Sequence, residues 1–165
     1  MKKWMWFLVS ALVIMADQIS KYVVTMQLEP YQSYDIMPML NLTLAYNTGA
    51  AFSFLSSAGD WHHLFFMGFS AIVSVGLIVW IVCLPKQTER LQFIALSLIL
   101  GGAIANLIDR ITLGYVIDFI DVYYKNHHWP IFNIADSAIT IGTLLLAYDL
   151  CCHSKPSARS RFNCF

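Results

Sequence analysis

The chain has 165 residues, of which 58% are hydrophobic, 15% aromatic and 12% charged, and its mean hydropathy is +0.62. A soluble domain carries about twice that charged fraction because it must cover itself with solvated side chains, so a soluble globular protein is all but excluded. Ten Lys and Arg balance ten Asp and Glu, and no basic cluster has aromatics beside it, so nucleic acid is not expected as a partner.

Four apolar stretches can each cross a hydrocarbon core, which takes about 20 helical residues. The first covers residues 4–24. Met1-Lys2-Lys3 before an apolar run to Ala16 is also how a secretory signal peptide begins, but Asp17-Gln18 follows with no small-x-small cleavage pattern, so the stretch is expected to remain as a span. Between Tyr31 and Leu55 the period changes. Leu40, Leu42, Leu44 and Tyr46 alternate with Asn41, Thr43, Ala45 and Asn47, a strand pattern; Asn47-Thr48-Gly49 reads as a turn and Ala50 to Leu55 as a returning strand. A small amphipathic sheet on the membrane surface is expected there.

The second span, residues 64–84, contains no charged residue, and the polar turn from Pro85 to Arg90 separates it from the third, residues 91–108. Residues 112–130 mix Val116, Ile117, Phe119, Ile120, Tyr123, Tyr124 and Trp129 with Asp118 and Asp121, an interfacial stretch rich in anchor aromatics. The fourth span covers residues 131–150, and a tail of residues 151–165 follows. The expected fold is an all-α membrane protein, with four transmembrane helices, a small extracytoplasmic β-sheet and an interfacial segment, in one domain over residues 1–165.

Orientation follows from the cations. With the N-terminus in the cytoplasm, Lys2, Lys3, Lys86, Arg90, Lys155, Arg159 and Arg161 lie inside, against Lys125 and the span-end Lys21 and Arg110 outside. That asymmetry places both termini in the cytoplasm. Cys83, Cys151, Cys152 and Cys164 all fall on the inner side, where reduced thiols are the expectation.

Ionisable side chains inside a span cost a few kcal/mol each, so their presence needs a reason. Here they are patterned. Asp17, Ser20 and Lys21 share one face of span one; Asn106, Asp109 and Arg110 repeat the spacing in span three; Asn133, Asp136, Ser137 and Thr140 form a stripe in span four. Counted along the helices, these faces converge in the outer third of the bilayer, and the inner halves are apolar. The plainer reading is helix glue, with Asp17 paired to Lys21 and Asp109 to Arg110 or Asn106. Asp136 has no cation in its own stripe, so a neutral or proton-sharing carboxyl is its cheaper state. Asp118 can fold back over span four to the same depth, and two carboxyls from separate segments are what general acid–base hydrolysis needs.

Other chemistries lack their signatures. His62-His63 and His127-His128 do not have metal-ligand spacing, so no metal is expected, and Asp149 is expected to be solvated. There is no G-x-S-x-G elbow, no outer cysteine nucleophile and no phosphate loop. Gly101-Gly102-Ala103 reads as a close helix contact. The alternative from another class is a small ion or proton channel or transporter, which would need polar residues along the whole path.

Five motifs occur in one order: Asp17-Gln18-Ile19-Ser20-Lys21; Asn47-Thr48-Gly49-Ala50-Ala51-Phe52-Ser53; Gly101-Gly102-Ala103 with Asn106 and Asp109-Arg110; Val116-Ile117-Asp118-Phe119-Ile120; and Phe132-Asn133-Ile134-Ala135-Asp136-Ser137. Over residues 5–150 the chain resembles the bacterial lipoprotein signal peptidases, or signal peptidase II. It departs at Ala105, where that family commonly has glycine. The resemblance implies an intramembrane aspartic endopeptidase of the bacterial cytoplasmic (inner) membrane, with its active site toward the extracytoplasmic face. Such an enzyme removes the signal peptide from diacylglyceryl-modified prolipoproteins by cutting before the lipidated cysteine. Its partners would be those substrates and membrane lipid, and it needs no cofactor. By motif position Asp118 and Asp136 become the catalytic pair. Asn47, Gly49, Asn106, Arg110 and Asn133 would line or support the site, and Asp17, Lys21 and Asp109 would brace it.

Overall fold

The computed structural model describes residues 3–49, 61–85 and 90–153. The expected returning strand at residues 50–55, most of the 85–90 turn and the tail from residue 154 lie outside the described residues. A 3-10 turn, Lys3–Trp6, leads into α1 (Phe7–Gln27), followed by β1 (Ser33–Met37), β2 (Leu40–Asn47), α2 (Trp61–Cys83), α3 (Arg90–Thr112), β3 (Val116–Tyr124), β4 (His127–His128) and α4 (Ile134–His153). All four helices are long and apolar enough to span a membrane. The outward faces of α1, α2 and α4 carry large exposed apolar side chains, such as Leu12, Ile19, Phe69, Ile72, Ile141 and Leu144, as a lipid-facing surface requires, while α3 is largely buried among them.

Helix ends follow local chemistry. Helix α2 stops just before Leu84-Pro85, where the proline disfavours helical geometry in its predecessor. Helix α3 runs one turn past the expected limit and closes at Gly114, whose φ of +86° suits glycine and whose N–H donates to the Arg110 carbonyl. That extra turn keeps Asp109 and Arg110 helical. Helix α4 begins three residues later than expected because Asn133 caps it.

The sheet is antiparallel in the order β1-β2-β3-β4. Residues 112–130 therefore do more than lie at an interface: β3 is an inner strand, with Leu40 opposite Val122 and Asn47 opposite Val116. Its first four residues are buried on both faces, so the polar alternation that marks a half-buried strand is missing. An apolar cluster of Val24, Leu44, Ile117 and Phe119 fastens the sheet to the end of α1.

A second cluster of Trp6, Leu77, Ile81, Leu84, Phe93, Leu96 and Leu100 fills the opposite half of the bundle. Close approach of α1, α3 and α4 depends on missing side chains. A Cβ on Gly101 would lie 2.8 Å from Val13 Cβ, and one on Gly102 would run into the Ala135 carbonyl oxygen. The expected glycine contact is thus present, and it sets the start of α4 directly against α3. Two expectations are corrected. Asp149 is buried, not solvated, because its face of α4 packs inward. Cys151 and Cys152 are free, but Cys83 is disulfide-bonded; chain spacing does not report which thiols meet.

Candidate active site

Three helices and two strands bring the predicted polar residues to one buried node. Asn133 is fully buried and caps α4 reciprocally with Asp136: its Oδ1 accepts the Asp136 N–H at 2.9 Å, and its own N–H donates to Asp136 Oδ2 at 3.3 Å. The cap therefore fixes the Asp136 carboxyl as well as the helix. Because a backbone N–H occupies Asn133 Oδ1, its Nδ2 must point the other way. It donates to Asp118 Oδ1 at 2.7 Å, and to Asn106 Oδ1 and the Ile117 carbonyl at 3.2 Å each.

Asp118 is buried on β3, opposite Ala45 of β2. Asn47 lies two residues further along β2, on the same face as Ala45, and its Nδ2 donates to Asp118 Oδ2 at 3.0 Å. Gly49 holds Asn47 in turn: its N–H donates to Asn47 Oδ1 at 2.9 Å, and its φ of +92° and the Phe66 ring, 2.5 Å from where a Cβ would stand, leave room for glycine alone. Burial pushes the Asp118 carboxyl up to about 6; the neighbouring Asp136 charge adds to the rise, while the Asn47 and Asn133 hydrogen bonds and the Lys21 charge oppose it.

Beneath the carboxyls lies a charged hub. Lys21 Nζ meets Asp17 Oδ2 at 2.6 Å, Asp109 Oδ2 at 2.7 Å and Asn106 Oδ1 at 3.1 Å. Asn106 Nδ2 donates to Asp136 Oδ1 at 2.8 Å. Asp17 Oδ1 accepts the Ala135 N–H at 2.8 Å, and Asp109 Oδ2 accepts the Ile117 N–H at 3.2 Å. The Asp17–Lys21 pairing is as expected. Asp109 instead pairs across helices with Lys21, because Arg110 is rotated toward α2, where it donates to Ser70 Oγ at 3.4 Å and lies over the Phe66 ring.

Gln18 is the residue the sequence reading passed over. Its Nε2 donates to Asp109 Oδ1 at 2.8 Å and closes the last acceptor of the hub. The signal was available, since Gln18 is an amide inside a span beside Asp17, but it adjoins the Asp17–Lys21 face and carries no charge. Beside Asp136 a cleft of about 550 Å³ opens, lined by Trp129, Phe132, Ser137, Thr140 and Ile141 among others. Among the described residues there is no cluster of His, Cys, Asp and Glu able to hold a metal ion, and His128 is occupied with Asp121 at 2.8 Å.

Four membrane-length helices around a buried polar node, with a small sheet closing one end, make a membrane-enzyme architecture. A bacterial membrane enzyme solved by the in meso method at 1.9 Å superposes with a TM-score of 0.77 at 34% identity, over 88% of this chain and 92% of the other. A second such structure at 2.3 Å gives 0.76 at 32% identity, over 92% of each chain. The family model described as signal peptidase (SPase) II matches residues 9–152. The lipoprotein signal peptidase of Acinetobacter baylyi is 54% identical over 87% of this chain and 80% of its own length, and that of Coxiella burnetii is 47% identical over 88% of each. The chain belongs to the signal peptidase II family and is a protease.

Proposed function

We propose that the chain removes signal peptides from prolipoproteins, cutting before a diacylglyceryl-modified cysteine, with Asp118 and Asp136 as its catalytic pair. The observation that carries this reading is Asn133, which holds both carboxyls at once, Asp118 by its side-chain amide and Asp136 by its backbone N–H. Two carboxyls so close in a low dielectric share one proton. Asp118, raised to about 6 by burial and by its neighbour, is the proton holder. Asp136, facing amide donors in the first turn of α4, takes the proton from water as the water oxygen attacks the scissile carbonyl carbon. Asp118 gives its proton to the carbonyl oxygen, forming a gem-diol. When that collapses, the C–N bond breaks, the leaving nitrogen takes the proton held by Asp136, and a gem-diol hydroxyl returns one to Asp118.

The membrane setting follows from the same reading. The cation asymmetry supports cytoplasmic termini in the bacterial inner membrane, with the sheet and the carboxyls toward the extracytoplasmic face. The cleft beside Asp136, apolar on its Trp129, Phe132 and Ile141 walls, suits a substrate arriving from the bilayer. A channel or transporter is not favoured, because the Trp6, Leu77, Ile81, Phe93, Leu96 and Leu100 cluster fills the other half of the bundle with apolar side chains.

The test is cleavage of a purified precursor by the full chain in detergent, with fragments read by mass spectrometry. A product beginning at the modified cysteine is expected only from lipidated precursor, since each buried CH₂ contributes about 0.8 kcal/mol toward partitioning. Equal rates on unlipidated precursor would remove lipid recognition from the reading.

A further inference from the structure

Lys21 is buried in α1 and touches neither carboxyl of the pair, yet each of its three contacts leads to one of them. An ammonium has three protons and accepts nothing, so three acceptors in three directions satisfy it. The first, Asp17, uses its other oxygen to hold the Ala135 N–H, one residue before Asp136. The second, Asp109, holds the Ile117 N–H, one residue before Asp118. The third is the side-chain oxygen of Asn106, which bonds Asp136 directly through its Nδ2.

The polarity of the third path is decisive. An amide can face a partner with its oxygen or its NH₂, and a flip inverts what it asks of every neighbour. Since Lys21 can only donate, it forces the Asn106 oxygen toward itself, and the Asn133 Nδ2 does the same from the other side at 3.2 Å. The Asn106 NH₂ is left aimed at Asp136 Oδ1, which it holds as an acceptor. The ammonium thus ties the two segments together and, with the Asn133 amide, sets the direction of the hydrogen bond at Asp136.

We infer that Lys21 is a positioning residue for peptide hydrolysis, acting through Asn106 on the orientation of the Asp136 carboxyl and through Asp17 and Asp109 on the placement of the Asp136 and Asp118 backbones. This rests on the reading of Asp118 and Asp136 as the catalytic pair. It differs from helix glue in a measurable way. If Lys21 only neutralises two buried aspartates, removing all three charges together restores the balance and should restore activity. If Lys21 positions, a folded neutral hub remains impaired.

The experiment compares two variants of the full chain in detergent, Lys21→Met/Asp17→Asn/Asp109→Asn and Lys21→Arg, on diacylglyceryl-modified precursor, with Asp118→Asn and Asp136→Asn run beside them. The triple variant is expected to melt near the parent temperature, to lose about 100-fold or more in kcat, and to keep KM within about threefold, because the Asn106 oxygen loses one of its two donors and the tie between the two segments is gone while the cleft is untouched. Lys21→Arg keeps the charge but places planar donors in a site built for three directions, and a loss of about tenfold in kcat is expected. A folded triple variant with parental kcat overturns the inference, as does Lys21→Arg at the parental rate. Loss of the fold in both variants would make Lys21 a fold determinant and would overturn it equally. Cleavage by either Asp→Asn variant would instead defeat the reading of the pair, so the two failures are distinct.

Discussion

The two halves of the helical bundle hold together by different physics. Around Trp6, Phe93, Leu96 and Leu100 the helices meet through apolar side chains, with the Trp6 and Phe93 rings stacked at 5.5 Å. Around Lys21, Asn106 and Asn133 they meet through hydrogen bonds from buried donors to acceptors on neighbouring segments. Apolar packing is roughly proportional to area and tolerates exchange of similar shapes. A buried polar network is not tolerant, because each group left unmatched costs the full desolvation of that group. The apolar half can therefore set how firmly the helices associate, while the polar half sets where two carboxyls stand.

The strongest way to break this comparison is to change the carboxyls themselves. Asp118→Asn and Asp136→Asn keep size and reach but cannot cycle a proton, so each should lower turnover by about 10³-fold or more while expression stays near normal. The double variant should be hardly worse than either single, since members of one catalytic unit are not additive. Glu29→Gln, on an exposed loop residue, serves as the control. Precursor turnover in a single detergent is the measurement, and substantial cleavage by either single variant would remove that aspartate from the mechanism.

Much of this node was legible because membranes make polar residues expensive. Asp17, Lys21, Asn106, Asp109, Asn133 and Asp136 stand out against apolar runs, and helical spacing alone puts them on shared faces. What spacing did not give was the partner across helices. The neighbouring Arg110 is the obvious mate for Asp109 in one dimension, yet Lys21, 88 positions earlier, takes it. Strand β3 was hidden for a related reason: buried on both faces, it shows no alternation, and its partner β2 lies across the whole of α2 and α3 in sequence. Asp118 was placed by resemblance and by depth, and the sheet that presents it was only half visible.

A smaller and signed effect tests the electrostatics of the node. The Asn47 hydrogen bond opposes the rise that burial and Asp136 impose on Asp118, so Asn47→Ala should move the Asp118 carboxyl further above about 6. Asp118 works as the protonated partner, and its proton is lost as pH climbs through its pKa. The alkaline limb of the rate profile should therefore shift to higher pH in Asn47→Ala, with the maximum rate reduced by about tenfold as Asp118 loses one of its two amide donors. The check is the initial rate against pH for both proteins. An alkaline limb that stays in place or moves down would show that Asn47 does not bond the charged form of Asp118.

The smallest effect on catalysis is expected from the apolar half, and it is the sharpest test of the division. Phe93 is buried against Trp6 in the cluster furthest in composition from the polar node. Phe93→Leu keeps an apolar side chain but shortens it and ends the ring stacking, so a loss of about 1–2 kcal/mol in stability is expected, seen as a lower melting temperature in detergent. No donor or acceptor of the node changes, and α3 still meets α4 through Gly102. At a temperature where both proteins are folded, kcat and KM should match the parent within about twofold. A tenfold fall in kcat with the fold intact would mean that apolar packing transmits strain along α3 to Asn106, and the two halves would have to be treated as one cooperative unit.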